Sequence, residues 1–145
     1  MTWLEAFKRI VRDRRGAVAV EFAILGPTLL TMMFFVVQVG FGMQNYNAMR
    51  SIASDVQRYA AVKYQASATG RPTNAQLQTY AATIATATPY NLKTAQFAAT
   101  VVNATSRVTG ATELTLTITY NVPIISMIKS GTIPMTYTRP IFLTT

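Results

Sequence analysis

The chain has 145 residues, of which 50% are hydrophobic and 12% charged, and its 13 basic and 5 acidic residues give a formal net charge of +8. Cysteine and histidine are absent, which excludes disulfides, thiolate chemistry and the commonest acid–base and metal-binding side chain. The five carboxylates are accompanied by no nucleophile–base pair and no glycine-rich phosphate loop. We therefore expect a protein that is not an enzyme, that holds no cofactor and no metal, and that meets lipid along part of its length.

Residues 1–16 are densely charged, with five basic residues, among them Arg14 and Arg15, against two acidic ones. Basic residues directly before an apolar segment are typical of a cytoplasmic flank under the positive-inside rule. Nucleic-acid binding is the alternative for a basic tip, but no basic face recurs later in the sequence pattern. We predict a cytoplasmic leader over 1–16 and no nucleic-acid partner.

A long apolar segment follows the leader and carries no charged residue from Phe22 to Met49. Because roughly 20 apolar residues cross a bilayer core as a helix, residues 17–42 are long enough to span it. A soluble core around so long an apolar helix would need a larger protein. Pro27 removes one backbone hydrogen bond within this segment, so we predict a kink there.

The helix is predicted to continue over 43–70 as an amphipathic segment outside the membrane, because apolar residues recur at three- and four-residue steps. Gly70 and Pro72 are typical of its end. The apolar stripe consists of Met49, Ile52, Ala53, Val56, Tyr59, Ala60 and Lys63 or Tyr64.

The remaining residues, 71–145, predict an extracytoplasmic α/β region. Thr73 and Gln76 have the spacing of a capping box, which predicts a short second helix over 73–87. Strict alternation predicts a half-buried strand over 112–122. Weaker alternation and turn residues predict partner strands over 95–103 and 132–142. The fold class is therefore α+β: a long N-terminal helix, a short second helix and an antiparallel sheet of about three strands.

The two faces of the central strand differ in character. Glu113 and the threonines form its polar face, and Pro134 and Pro140 place the last strand at a sheet edge. The loop 123–128 is apolar for a solvated connection, so we expect it to cover the sheet or to meet a neighbour. The predicted inner face consists of Leu114, Leu116, Ile118, Tyr120 and Val122.

Glu21 is an acidic residue just inside the apolar segment. At the centre of a membrane helix such a group costs about 2.5 to 3.5 kcal/mol on insertion scales, so it is rare without a function. Cleavage between Gly16 and Ala17 would create a free α-amine and make Glu21 the fifth residue of the mature chain. The amine of the same or a neighbouring subunit could then pair with the carboxylate as helices pack. We interpret Glu21 as an assembly signal.

The stretch RRGAVAVEFAILGP, with the long helix, threonine-rich β region and apolar loop after it, resembles the TadE-like minor pilins, or pseudopilins, of tight-adherence (Flp-type, type IV-like) pili. The resemblance implies cleavage after Gly16 by a prepilin peptidase, and a role for Glu21, beside Phe22, in subunit recognition and assembly. It implies that the protein supports pilus assembly, adhesion and surface colonisation. Over residues 70–145 the resemblance is one of pattern.

The same resemblance implies the partners and the location of the protein. The partners are other pilin subunits, contacted through the N-terminal helix, the prepilin peptidase, the inner membrane and the pilus assembly platform. The location is the bacterial inner membrane, crossed once with the N-terminus in the cytoplasm and the C-terminal region outside it, from which the subunit enters the pilus.

Two other interpretations remain open. In one, the chain is an uncleaved membrane-anchored extracytoplasmic binding domain, and the purified protein would begin at Met1 and not at Ala17. In the other, the apolar run is a secretory signal cut near Gly42, although its apolar region exceeds the usual length of about 7 to 15 residues and Glu21 then has no explanation.

Overall fold

The computed structural model describes residues 16–66, 70–124 and 131–144. They form two compact units that divide between Val39 and Gly40. The elements are helix α1 (Ala17–Ala66), helix α2 (Asn74–Thr86), a 3₁₀ turn (Thr94–Gln96), and strands β1 (Phe97–Ala104), β2 (Thr112–Pro123) and β3 (Thr132–Leu143). The predicted α+β fold, with a long apolar helix, a short second helix and a three-stranded sheet, is confirmed.

The first unit contains the apolar part of α1. An 18-residue window of this helix has a mean hydropathy of 2.0, so α1 is long and apolar enough to cross a bilayer. No residue of that window is buried in the described part of the chain. α1 runs unbroken through Pro27, whose carbonyl accepts a 2.7 Å hydrogen bond from the Thr31 hydroxyl. Thr28 donates to the carbonyl of Ile24. The kink at Pro27 stays a prediction.

The second unit contains the amphipathic part of α1, which packs against the sheet and α2. The predicted stripe is confirmed: its aliphatic members are fully buried, and Tyr59 and Tyr64 are half-buried against the core. This part of α1 is amphipathic: its apolar face is buried against the core, and its other face carries Arg50, Ser54 and Arg58. The buried members are Met49, Ile52, Ala53, Val56 and Ala60.

Helix α2 begins with the predicted capping box. The Thr73 hydroxyl accepts a hydrogen bond from the Gln76 amide at 3.2 Å, and the Thr73 amide donates to Gln76 Oε1 at 3.0 Å. These two bonds satisfy backbone donors that the first helical turn leaves without partners. α2 contacts α1 through Tyr80, whose ring stacks on Tyr59 with centroids 4.0 Å apart. Its buried residues are Leu77, Ala81 and Ala85.

The sheet is antiparallel in the order β1-β2-β3, so β2 is central. All five residues of its predicted inner face are buried. β3 is an edge strand, as its two prolines predict, with Pro134 opposite Asn121 and Pro140 opposite Thr115. Gly110 has φ +81 between β1 and β2, a conformation in which a side chain would be strained. The covering role expected of loop 123–128 is not tested, because residues 125–128 lie outside the described residues.

Glu113 departs from the half-buried pattern predicted for β2. It belongs to the polar face with the threonines, but its side chain is only 4% exposed. The chain between β1 and β2 places Arg107 over it, and the guanidinium bonds Glu113 Oε1 through Nε at 3.0 Å and Nη2 at 2.7 Å. A buried carboxylate is tolerated here because it is paired and hydrogen-bonded.

Candidate functional site

The predicted processing junction lies where α1 begins. Gly16 is exposed and directly precedes Ala17, the first residue of α1, which is exposed as well. A Cβ built on Gly16 meets no atom within 4 Å. Arg14 and Arg15, the predicted leader charges, lie outside the described residues. The described side of the junction is therefore open to another molecule.

Glu21 lies one helical turn after Ala17, at the i, i+4 spacing that places two residues on the same face of a helix. The first turn of α1 contains no acidic residue, so Glu21 begins the second turn. The helix macrodipole acts mainly on the first turn and gives this carboxylate limited stabilisation. Glu21 is exposed and has no hydrogen-bond or ion-pair partner among the described residues. Any ion-pair partner of Glu21 therefore lies outside the described residues.

Phe22 is 73% exposed and projects from α1 beside Glu21. Its ring lies along Gly26, where an added Cβ would approach ring atom Cε1 at 3.7 Å, an ordinary van der Waals distance. The large apolar side chains that follow are also exposed, among them Ile24, Leu29 and Phe35. A continuous surface of exposed aromatic and aliphatic side chains is unfavourable in water. It is stabilised when lipid or other helices cover it.

The N-terminal part of the described chain is similar to a known protein family. Residues 16–58 match the TadE-like protein family. The match confirms the resemblance to the TadE-like pilins of tight-adherence pili and suggests a pilus-associated protein. With the long apolar helix α1, it also suggests membrane anchoring. No significant match was found among curated proteins or among solved structures.

The TadE-like segment, residues 16–58, begins at the predicted junction residue Gly16 and contains Glu21, Phe22 and Pro27. It ends inside the buried stripe of α1, at Arg58. The family pattern therefore includes buried residues that pack α1 against the second unit as well as exposed apolar residues of the first unit. The sheet itself lies beyond the matched residues.

Hydrogen bonds between side chains join the part of the TadE-like segment in the second unit to the rest of that unit, and the sequence pattern did not predict them. The Tyr90 hydroxyl donates to Asp55 Oδ2 at 2.8 Å, and Arg139 Nη1 donates to Ser54 Oγ at 2.8 Å. Burial, and secondly the hydrogen bond to Asp55, raise the pKa of Tyr90. No local pattern in the sequence predicts either pair, because each hydrogen bond joins residues from separate parts of the fold.

The Arg107–Glu113 pair lies outside the TadE-like segment. Hydrogen bonds from the Arg107 side chain, and secondly from its backbone amide at 2.9 Å, hold the pKa of Glu113 below its usual range. The same pairing raises the pKa of Arg107. This pair closes the connection between β1 and β2, and we assign it to stability. Across residues 16–66, 70–124 and 131–144, no group of three or more acidic residues could hold a metal ion.

Proposed function

We propose that the chain is a minor pilin, or pseudopilin, of a tight-adherence pilus. It is inserted in the inner membrane with its N-terminus in the cytoplasm, cleaved between Gly16 and Ala17 by a prepilin peptidase, and assembled through α1 with other pilin subunits on the pilus assembly platform. Its role is structural and not enzymatic, and it supports pilus assembly, adhesion and surface colonisation.

The observation that carries this proposal is the position of Glu21, which lies one turn beyond Ala17 and has no ion-pair partner among the described residues. Cleavage after Gly16 makes Ala17 the N-terminal residue and creates a positive charge at the start of the helix. The α-amine has an unperturbed pKa of about 7.7 to 8.0, so it is largely protonated near neutral pH. The Glu21 carboxylate, which is costly in lipid when unpaired, can then pair with the α-amine of its own subunit or of the next one. Pairing between subunits favours helices that pack in register.

The exposed surface of the apolar part of α1 supports the same proposal. Among residues 16–66, 70–124 and 131–144, nothing shields Phe22 and the aliphatic residues after it from water. A lipid bilayer shields them before assembly, and α1 helices of neighbouring subunits shield them afterwards. One helix then serves as membrane anchor and as assembly surface.

N-terminal sequencing of the purified protein tests cleavage directly. We expect the mature chain to begin at Ala17, and Gly16→Leu to leave a longer membrane protein with a slower gel band. Gly40→Leu is the matched control, because Gly40 also has open space around its Cβ position and lies away from the junction. A functional protein that begins at Met1 would instead support the uncleaved anchored binding domain.

A further inference from the structure

The second unit has more basic groups than its own carboxylates can neutralise. Asp55 and Glu113 are the acidic residues between positions 40 and 145, and both are engaged, by Tyr90 and by Arg107. Arg50 and Arg139 have no carboxylate partner among the described residues. Their charges are therefore available to an anion from outside the chain.

Arg50 and Arg139 line the same concavity, of about 340 Å³. Arg50 comes from α1 and Arg139 from β3, and Arg139 Nη1 donates to Ser54 Oγ, which in turn donates to the Arg50 carbonyl at 3.1 Å. This contact occupies one of the five N–H donors of Arg139. The other residues that line the concavity are Asn47 and Ser51, so no carboxylate lines it.

This set of side chains has the chemistry of a phosphate site. Two guanidinium groups that line one concavity repel each other, and an anion between them removes that repulsion. The planar fork of arginine matches phosphate oxygens in a bidentate geometry, and hydroxyl and amide groups supply further donors. We propose that Arg50 and Arg139, with Asn47 and Ser51, bind the phosphodiester of an anionic phospholipid headgroup, while the Ser54 hydroxyl holds Arg139 in place.

The position of the concavity on α1 favours a lipid headgroup as the source of the phosphate. Asn47 follows Gly42, the end of the predicted apolar segment, by about 7.5 Å along the helix, and Arg50 follows it by about 12 Å with a side chain long enough to reach back toward the membrane. The polar layer on each side of the hydrocarbon core is about 5 to 8 Å thick. Tyr46 packs edge-to-face on Tyr137 with ring centroids 5.8 Å apart, one residue before Asn47, and tyrosines are enriched at this depth.

This inference rests on the membrane insertion in the proposed function and deepens it. While α1 spans the bilayer, the site would hold the second unit against the outer leaflet of the inner membrane. Extraction of the subunit into a pilus would require release of the lipid. The site thus gives the membrane-stored subunit an anchor that is separate from Glu21.

Native mass spectrometry of the full-length protein in mild detergent tests the site. The protein is mixed with equal amounts of palmitoyl-oleoyl phosphatidylglycerol and phosphatidylcholine, and the retained lipids are counted. We expect preferential retention of phosphatidylglycerol, reduced about fivefold for each guanidinium removed in Arg50→Gln and Arg139→Gln. Arg58→Gln is the matched control, since Arg58 is an exposed arginine on the same helix outside the concavity. It should retain phosphatidylglycerol as the unsubstituted protein does.

Two further arms separate a specific site from general charge and from folding defects. Arg139→Lys keeps the charge but loses the planar fork, so we expect retention between that of the unsubstituted protein and that of Arg139→Gln. Arg50→Gln removes a side chain with no hydrogen-bond partner in the described structure, so it tests the site without loss of a packing contact.

Several results would overturn the proposal. These are equal retention of the two lipids, an equal loss in Arg58→Gln, displacement of the lipid by equimolar inorganic phosphate, or stronger binding of a glutamate-rich peptide than of phosphatidylglycerol. None of these results bears on which residue begins the purified protein. Failure of the lipid-binding proposal can therefore be distinguished from failure of the pilin assignment.

Discussion

Tyr90 and Asp55 join the chain after α2 to the middle of the buried part of α1, through a 2.8 Å hydrogen bond from the tyrosine hydroxyl to Asp55 Oδ2. Asp55 is next to Val56, which is fully buried against the sheet. The bond therefore connects the TadE-like segment to a region that the family match does not cover. It fixes the rotation of α1 about its own axis, because Val56 has to stay inside while Asp55 meets Tyr90.

Tyr90→Phe tests the contribution of this contact. The substitution keeps the ring and removes the hydroxyl, so we expect the free energy of unfolding to fall by about 0.5 to 1.5 kcal/mol. Thermal unfolding of the full chain in detergent, followed by near-ultraviolet circular dichroism, measures it. Tyr64→Phe is the control, since Tyr64 packs on the core without a hydrogen bond from its hydroxyl in the described residues. Equal effects of the two substitutions would contradict the assigned role.

The Arg107–Glu113 pair predicts a pH dependence of stability. Because the pKa of Glu113 is lower in the folded chain, its stabilisation is complete above the unfolded carboxyl pKa of about 4.3 and is lost as the pH falls through the folded value. We expect the thermal midpoint to fall between pH 6 and pH 3. Glu113→Gln should start lower at pH 6 and fall less on acidification. An unchanged pH profile in that variant would show that Glu113 is not responsible.

Leu116→Ala tests the core on the central strand. Leu116 is fully buried and lies opposite Val101 of β1 and Arg139 of β3. The lost transfer energy and the cavity together should cost about 2 to 5 kcal/mol. Val102→Ala, on a side chain that is 50% exposed, should change stability by about 0.5 kcal/mol or less. Similar losses in both variants, measured by denaturant unfolding, would be inconsistent with this core.

Glu21→Gln tests the assembly role with little change of shape. The amide cannot form the ion pair and costs less in lipid, so we expect normal or improved membrane insertion and a severalfold loss of the protein from sheared pili. Immunoblots of membrane and pilus fractions measure both quantities. Thr31→Val is the control, because Thr31 is an exposed residue of the same helix whose hydroxyl donates to the carbonyl of Pro27 within that helix. Unchanged incorporation of Glu21→Gln would remove Glu21 from assembly.

The kinds and the order of the elements could be predicted because their signals are local. The charge-free run before Met49, the capping box at Thr73 and the alternation along β2 each depend on residues within a few turns or one strand of each other. An element buries its apolar residues on one face, and the spacing of those residues follows the helical or strand repeat wherever the element finally packs. The candidate processing site was accessible to the same reasoning, since Gly16 and Glu21 lie within one short stretch of chain.

The polar contacts depend on which elements become neighbours, and no short stretch of sequence contains that information. Tyr90 and Asp55 are 35 positions apart, and Arg139 and Ser54 are 85 apart. Glu113 is a further example. The alternation along β2 places it on the polar face with the threonines, but the connection between β1 and β2 brings Arg107 over it and buries it. Periodicity specifies which face of an element is apolar. Packing of distant elements decides which polar groups on the other face meet, and so forms the cavity lined by Arg50 and Arg139.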